Sequence, residues 1–463
     1  MIPLLLTLVS GVYQVYPGES IQNALDMAVP GDTVLVLPGV HTGTGGNLVS
    51  INGSHNGVVL TGSIADPSSV VLSGEGLSGG IVRIDGLGSG TVDTTMVISG
   101  ICFSSGEASQ DEPFGGAVYS RHSSPVIEYC SFLGNQADNG GAIYSWKGAP
   151  VIRHSVFVGN TCQSAGGAVY LYGSEASISH CRFQDSHSWD DGGGIFAYNS
   201  SPCIFNCLFT GGYAHDDGAG IYCYALSNPE ILFCTFRNNH SLYTGSAVYF
   251  RVNSSPTVSH CIATGNQGPA FYIQDGGDPQ FLYNCVWGNP DGNYGNLPDP
   301  TGTQGNISQD PLLTDDCFLW HVQAGQPADS PCINAGGSSS SQWGLEFTWT
   351  RTDSVPDSAM VDLGFHHGPP GTYQSGPQEG GGPGMLIHPN PARSSFTLSW
   401  SPDDGWDTLE IYDLTGRRVY SRSVVGMLEL TIPVSSMGGR GLYIARLSGN
   451  GGSSALRVTV TGP

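Results

Sequence analysis

The middle of this chain repeats one motif at a nearly constant interval. The stretch GGAVYSRHSSPVIEYCSFLGN at 115–135 is followed by GGAIYSWKGAPVIRHSVFVGN at 140–160. The copies start, at steps of 25, 26, 26, 26, 27 and 23 residues, at Gly115, Gly140, Gly166, Gly192, Gly218, Gly245 and Gly268. Such a period indicates a repeat architecture, in which each unit buries its apolar face only by stacking on its neighbours.

Aligning the copies on their first Gly shows columns of similar residues. After the Gly pair, aliphatic residues alternate with aromatic residues, which is the period-two pattern of a β-strand. An isoleucine column and a column of Cys with Phe two residues later predict two further short strands per copy. Three short strands in about 26 residues, without the 3.6-residue period of helices, predict a right-handed parallel β-helix whose coils stack about 4.8 Å apart.

Paired motifs within the copies carry a family resemblance. Gly115–Val118 with Phe132–Asn135, and Gly140–Ile143 with Phe157–Asn160, have the form GGA[IV] with FxxN. These pairs resemble the repeats of chlamydial polymorphic outer-membrane proteins and their bacterial relatives, over roughly residues 90–290. The resemblance implies the β-helix fold and leaves the function open, because this fold hosts adhesins, lyases and hydrolases.

The segment that precedes the repeats predicts a helical cap. Ser20 is a candidate N-cap. Apolar residues follow it at helical spacing: Ile21, Ala24, Leu25 and Ala28. A short amphipathic helix here would cover the open first coil, and it resembles the N-terminal cap of many secreted β-helix proteins. We therefore assign residues 12–305 to a capped β-helix and residues 306–370 to its closing segment.

The C-terminal part differs in composition and pattern. Residues 371–384, GTYQSGPQEGGGPG, have the composition of a flexible linker. Several short alternating segments within 385–463 predict a small β-sandwich. This part resembles the C-terminal sorting domain (type A) of the type IX secretion system at Pro389, Asn390, Pro391, Tyr412, Gly416, Arg417, Gly441 and Tyr443. The resemblance implies that the type IX machinery carries the chain across an outer membrane; an ordinary immunoglobulin-like accessory module is the alternative.

The N-terminal segment and the charge set the expected location and partners. MIPLLLTLVSG, residues 1–11, resembles the apolar core of a signal peptide, although no Lys or Arg precedes it. With the sorting tail, it predicts Sec-type export and a secreted or outer-surface protein of a Gram-negative bacterium. No other stretch approaches the ~20 apolar residues of a membrane helix, so no integral span is expected. The net charge of −23, with a single lysine, argues against nucleic acid and polyanionic glycans as partners.

Nine of the twelve cysteines fall into two groups. Column cysteines are expected to be small, reduced, buried fillers, because stacked rungs place them too far apart and wrongly aimed for easy bridging: Cys102, Cys130, Cys181, Cys207, Cys234, Cys261 and Cys285. Cys317 and Cys332 lie outside the repeats and enclose a short loop. In an exported protein they predict a disulfide that contributes roughly 3 kcal/mol to stability.

Two ring-rich columns are expected to point outward on the sheet that follows the Gly pairs. Aromatic rings that face water expose apolar surface at a cost in free energy. If these columns face water, they therefore mark a binding face. We predict an extended neutral glycan as the ligand, with binding residues Tyr144, Trp146, Tyr170, Tyr172, Phe196, Tyr198, Tyr222 and Tyr224. The alternative is that the rings only shield and strengthen the sheet by stacking, as in a purely structural surface spacer.

Acidic pairs precede two of the Gly motifs. Asp190 and Asp191 lie in WDDGGG, and Asp216 and Asp217 lie one coil later in HDDGAG. They are candidates for the acid and base of a polysaccharide hydrolase or lyase, and Asp190 and Asp216 are candidate calcium ligands. The alternative is that Asp favours turns before Gly. The G-H-G and R-I-K elements that are typical of polygalacturonases are missing, and basic residues are scarce. These two observations favour binding over catalysis, and both functions stay open at this point.

Overall fold

A computed structural model of the chain contains two compact units, one up to residue 311 and one from residue 312. It describes residues 11–87, 90–108 and 113–368, and in the C-terminal part residues 386–388, 395–399, 406–413, 418–427, 429–436, 441–449 and 452–460. Of the signal-like segment only Gly11 is among the described residues, and the linker is not. The domain boundaries given above stay predictions.

The first unit is a parallel β-solenoid whose strands form four sheets. Sheet 1 contains Val12–Val15, Thr33–Val36, Val59–Thr61, Val97–Ser99, Val126–Glu128, Val151–Arg153, Ser177–Ser179, Cys203–Phe205, Glu230–Leu232, Thr257–Ser259 and Gln280–Leu282. Sheet 2 contains Val49–Asn52, Val82–Asp85, Val118–Arg121, Ile143–Trp146, Val169–Tyr172, Ile195–Tyr198, Ile221–Tyr224, Val248–Arg251, Phe271–Gln274 and Tyr294–Gly295. Sheet 3 contains Gly39–His41, Val70–Ser73, Cys102–Ser104, Ser131–Leu133, Val156–Val158, Arg182–Gln184, Leu208–Thr210, Thr235–Arg237, Ile262–Thr264 and Cys285–Trp287. The short sheet 4 contains Gln136–Asn139, Thr161–Ala165, His187–Ser188, Tyr213–Ala214 and His240–Ser241.

Successive copies lie on top of each other with like residues paired, as predicted. Ile143 pairs in parallel with Val118 of the coil before and Val169 of the coil after. Phenylalanines of sheet 3 stack inside the solenoid with neighbouring ring centroids 4.7 to 5.0 Å apart: Phe103, Phe132, Phe157, Phe183, Phe209 and Phe236. The aliphatic columns and this phenylalanine column together form one continuous core.

The cysteine column differs from the prediction at both ends. Cys102 pairs with Ser131 and Cys285 pairs with Ile262, so each is shifted by one residue from the column. At the C-terminal end, Cys285 lies 17 residues after Gly268, whereas Cys261 lies 16 residues after Gly245. The predicted column cysteines are all buried and unbridged. Burial raises the pKa of Cys130 to about 12, so its thiol stays protonated and acts as an apolar filler.

Buried asparagines connect the coils at the turn after sheet 3. Asn135 Nδ2 donates to Asn160 Oδ1 at 3.0 Å, and Asn239 donates likewise to Asn266 at 2.9 Å. Between these two pairs the equivalent positions hold Ser186 and a glycine. The hydroxyl of Ser186 is buried and has no hydrogen-bond partner within the described ranges. The asparagine ladder is therefore interrupted for two coils.

The predicted N-terminal cap is present. The α-helix Ile21–Met27 starts where Ser20 Oγ accepts a hydrogen bond from the backbone N–H of Asn23 at 3.2 Å. Its residues Ile21, Ala24 and Leu25 are buried in the solenoid core. Short 3-10 helices are Gly53–His55 and Pro67–Ser69 in this unit, and Val322–Ala324, Ser340–Gln342 and Val434–Ser436 in the second. No helix among the described residues is long and apolar enough to cross a membrane.

The second unit contains the predicted closing segment and the tail. A buried polar network in the former includes His366 Nε2, which lies 3.1 Å from Asp357 Oδ2. Cys317 and Cys332 are both buried here, and their disulfide stays a prediction. The tail forms two antiparallel sheets, as expected of a small all-β domain: Leu386–His388, Ser395–Ser399 and Glu429–Pro433 in one, and Arg418–Ser423, Trp406–Asp413, Gly441–Gly449 and Gly452–Val460 in the other.

Three of the predicted sorting residues lie on described strands: Tyr412 on Trp406–Asp413, and Gly441 and Tyr443 on Gly441–Gly449. The others in the motif lie outside the described residues: Pro389, Asn390, Pro391, Gly416 and Arg417.

Candidate functional site

Glycines at the start of each copy create a sharp corner between sheet 4 and sheet 2. Gly218 and Gly245 have φ of +69° and +63°, a left-handed conformation that glycine adopts without strain. A Cβ on Gly245 would lie 2.6 Å from the Cβ of Tyr249, so no side chain fits. The corner folds the residues before each Gly back over the aromatic rings after it.

The inner tyrosine column lies in this corner and consists of Tyr119, Tyr144, Tyr170, Phe196, Tyr222, Tyr249 and Tyr272. Its side chains point away from the solenoid core, as predicted. The expectation that they face water is wrong for five of the seven, whereas Tyr170 and Tyr272 are partly exposed. Tyr222 is only 1% exposed, and Tyr144 and Phe196 are also buried. Phe196, Tyr222 and Tyr249 form a second apolar cluster with Ala165, the residue before Gly166. Burial raises the pKa of Tyr222 and Tyr144 far above the ordinary tyrosine value.

The outer column remains partly accessible and consists of Arg121, Trp146, Tyr172, Tyr198, Tyr224, Arg251 and Gln274. Tyr172 is 37% exposed, and its ring stacks on Tyr198 with centroids 4.9 Å apart and planes 7° apart. Rings stacked in this way turn their faces toward each other and their edges toward solvent. The column therefore offers hydroxyl groups and ring edges to a ligand. Ligand binding by these residues stays a prediction.

A second exposed surface, on the sheet 4 side of the corner, was missed by the sequence analysis. We call it the turn surface; it consists of His187, Trp189, Asp190, Tyr213, His215, Asp216, His240 and Tyr243. Trp189 and Tyr243 are 56% and 64% exposed. His187 supports this surface, with its ring centroid 4.8 Å from that of Trp189 and 4.7 Å from that of Tyr213. The sequence signal for this surface was a Trp in the polar turn HSWDDG and a Tyr in the turn HSLYTG.

The four candidate aspartates come together at the corner. Burial and the neighbouring carboxyl group of Asp216 raise the pKa of Asp190, and the N–H of Asp217 donates to Asp191 Oδ1 at 3.3 Å. Asp217 Oδ1 in turn accepts from the hydroxyl of Thr244 at 2.5 Å. Burial, with the charges of Asp190 and Asp217, raises the pKa of Asp191 to about 8. The corner thus holds a carboxyl group that is protonated at neutral pH.

Arg251 connects the outer column with the acidic side of the corner. Its Nη1 donates to the hydroxyl of Tyr222 at 3.4 Å, and its Nε lies 3.2 Å from Asp275 Oδ2. Its positive charge lowers the pKa of Asp217, whose carboxyl is otherwise raised above its usual range mainly by burial. This arginine limits the negative charge that accumulates at the C-terminal end of the corner.

The calcium prediction at Asp190 and Asp216 stays a prediction. In the part of the chain that the structure describes, no three His, Cys, Asp or Glu side chains are arranged to hold a metal ion. A cation bound between Asp190 and Asp216 would require both carboxyl groups to be deprotonated, and burial together with Asp216 raises the pKa of Asp190.

Comparison with protein families agrees with the sequence resemblances. Residues 167–295 match the family described as right-handed β-helix region, and residues 129–145 match the chlamydial polymorphic membrane protein repeat. Residues 386–461 match the secretion system C-terminal sorting domain, which marks a secreted or cell-surface protein. No curated protein sequence matches the chain.

Solved structures with distant likeness are proteins that act on polysaccharides. A mannuronic acid specific family 6 lyase from human gut microbiota has 12% identity and a TM-score of 0.31, covering 67% of this chain and 85% of that one. The PL6 family alginate lyase AlyGC has 13% identity and a TM-score of 0.27, and the match covers 76% of this chain and 58% of that one. A tailspike capsular polysaccharide depolymerase from Acinetobacter baumannii bacteriophage Fri1 has 10% identity and a TM-score of 0.32, covering 98% and 79%. At these scores the likeness supports no argument about function.

Proposed function

Because this chain is a secreted right-handed parallel β-helix protein with a type IX sorting domain, we propose that it binds an extended glycan along the corner between sheets 2 and 4. The ligand would lie between the turn surface on one side and the outer column on the other. The sorting domain would bring this corner to the outside of the cell, where polysaccharides are accessible.

The exposure of Trp189 and Tyr243 is the observation that supports this proposal best. Both rings leave more than half of their surface in water, next to polar side chains that have no part in the core. They lie two coils apart, which is about 10 Å along the solenoid axis. Exposed aromatic rings of this kind are costly unless they meet a ligand, and their faces suit the apolar faces of sugars.

Polar groups of the turn surface suit sugar hydroxyls. Asp216 is half exposed, and its Oδ1 lies 2.9 Å from His215 Nδ1, so both side chains are held in place beside the rings. Carboxylate and imidazole groups can accept and donate hydrogen bonds to a polyol. The net charge of −23 disfavours an anionic polymer, so a neutral glycan is the expected class.

The proposal is tested by affinity electrophoresis of the full chain in gels that contain single neutral or acidic polysaccharides. We expect retention by at least one neutral polysaccharide, and loss of that retention in Trp189→Ala and in Tyr243→Ala. Tyr16→Ala is the matched control, because Tyr16 is similarly exposed but lies in the first coil. Equal mobility in every gel would contradict the proposal and favour the structural spacer.

A second candidate function is polysaccharide cleavage, and the raised pKa of Asp191 favours it. A carboxyl that keeps its proton at neutral pH can act as a general acid, and Asp190 or Asp216 would be the base. New reducing ends, released from a retained polysaccharide by the full chain and absent with Asp191→Asn, would favour the hydrolase. An unsaturated product would instead favour a lyase. Retention without new ends favours binding alone.

A further inference from the structure

A cavity opens where sheet 4 ends. The coil that starts at Gly245 has 23 residues, against 27 for the coil before it, because the turn before Gly268 is shorter. Sheet 4 therefore stops at His240–Ser241, and only a single bridge from His240 to Gln267 continues it. The cavity left by the shorter turn has a volume of about 490 Å³, within the ~300–1,000 Å³ usual for small-molecule sites. Its walls include His240, Ser241, Tyr243, Gln267, Pro269 and Asp291.

The short turn also redirects hydrogen bonds in the cavity wall. One coil earlier, the N–H of Leu242 donates to the carbonyl oxygen of Ala214 at 3.3 Å. The His240–Gln267 bridge aligns Leu242 with Pro269, which has no N–H, and the N–H of Gly268 before it donates to Asp291 Oδ2 at 2.9 Å. Ser241, only 3% exposed, has a hydroxyl without a hydrogen-bond partner in the described ranges. Buried polar groups of this kind normally have partners, so the wall is suited to a ligand that supplies them.

The charge and rim of the cavity restrict the class of ligand. Its lining contains the carboxyl group of Asp291 and neither Lys nor Arg. A carboxylate on the ligand would face Asp291 with no Lys or Arg to neutralise it and only the imidazole of His240 as a basic group in the lining, which disfavours anionic ligands. Tyr243, on the rim, is also part of the turn surface, so a glycan bound there can continue into the cavity.

From this combination we infer that the cavity binds one uncharged sugar residue of the glycan and excludes uronic acids. The inference rests on the function proposed above and adds to it the ligand class and the position of a specific subsite. Ser241 and the neighbouring backbone supply hydrogen bonds to the sugar hydroxyls, Tyr243 contacts the ring, and Asp291 repels a uronate.

The test is isothermal titration calorimetry of the full chain with defined hexasaccharides. The probes are neutral hexamers of glucose, mannose and xylose, and acidic hexamers of mannuronate and galacturonate. We expect the wild type to bind at least one neutral hexamer and neither acidic one. Gln267→Trp places a large ring in the cavity and should weaken neutral binding about tenfold or more. Gln280→Trp, an exposed change on sheet 1, is the matched control.

The Asp291→Asn variant removes the negative charge of this side chain and keeps its shape. The amide oxygen still accepts the N–H of Gly268, so the fold is preserved and the melting curve should match that of the wild type. Binding of the acidic hexamers should become measurable; if it does not, exclusion by Asp291 is wrong. If Gln267→Trp, shown folded by its melting curve, binds like the wild type while Trp189→Ala does not, the cavity inference fails and the proposed function stands. If the wild type binds no hexamer and no polysaccharide, both fail.

Discussion

Replacing Asp191 by Asn should stabilise the solenoid, and the gain should increase with pH. The pKa of this carboxyl is about 8 in the folded chain and 3.8 in the reference state, so the folded state holds its proton more tightly. Folding stability from this group is therefore fully present below pH 4 and is lost as the pH rises toward 8. The resulting loss of folding free energy is at most about 4 kcal/mol at pH 7 and at most about 2 kcal/mol at pH 5.

Asparagine keeps the oxygen that accepts the N–H of Asp217 and carries no charge. For a unit of about 300 residues, the calculated gain corresponds to a melting temperature higher by about 6 °C at pH 7 and about 3 °C at pH 5. Differential scanning fluorimetry of wild type and Asp191→Asn at both pH values measures this. Asp278→Asn, an exposed turn substitution, should show no such difference. A shift that is equal at both pH values, or a destabilised variant, would refute the burial argument.

Three further predictions concern the core, the asparagine ladder and export. Phe183→Ala removes a ring stacked at 4.7 Å on both Phe157 and Phe209 and should cost about 3–5 kcal/mol in unfolding free energy, whereas a loss below 1 kcal/mol would contradict the stacked core. Ser186→Asn should extend the ladder from Asn160 into space left by the following glycine and raise stability by about 1–2 kcal/mol in denaturant titrations; a lower midpoint would mean that the site is too small. Deleting residues 385–463 should leave the protein in the periplasm, as measured by cell fractionation and immunoblotting. Unchanged release into the medium would show that the tail is not a secretion signal.

The repeat period and the column alternation were sufficient to predict the coil stacking. Inward residues such as Ile143 must be aliphatic along the whole solenoid, because each contacts its equivalents in the neighbouring coils. The N-terminal helix could also be predicted, because Ser20 and the apolar spacing after it are local signals. These features depend on short-range pattern, which a single sequence contains.

The burial of the inner tyrosine column could not be read from the same pattern. Alternation tells on which side of its own sheet Tyr222 lies, but not whether another segment covers that side. The cover depends on the left-handed corners at Gly192 and Gly218, which bring Asp191 close to the ring of Tyr222 and Asp217 close to the ring of Tyr249. The cavity at the end of sheet 4 follows from a shorter turn that is visible in the sequence, yet its position depends on how the coils stack.

The ratio of dissociation constants for one neutral hexasaccharide, between the wild type and the double variant Trp189→Ala/Tyr243→Ala, decides whether the corner is a glycan site. We predict that the double variant binds at least about a hundredfold more weakly, since two exposed rings are lost, while its melting temperature is unchanged. Equal dissociation constants, or an equal loss in Tyr16→Ala, would show that the glycan does not bind at this corner.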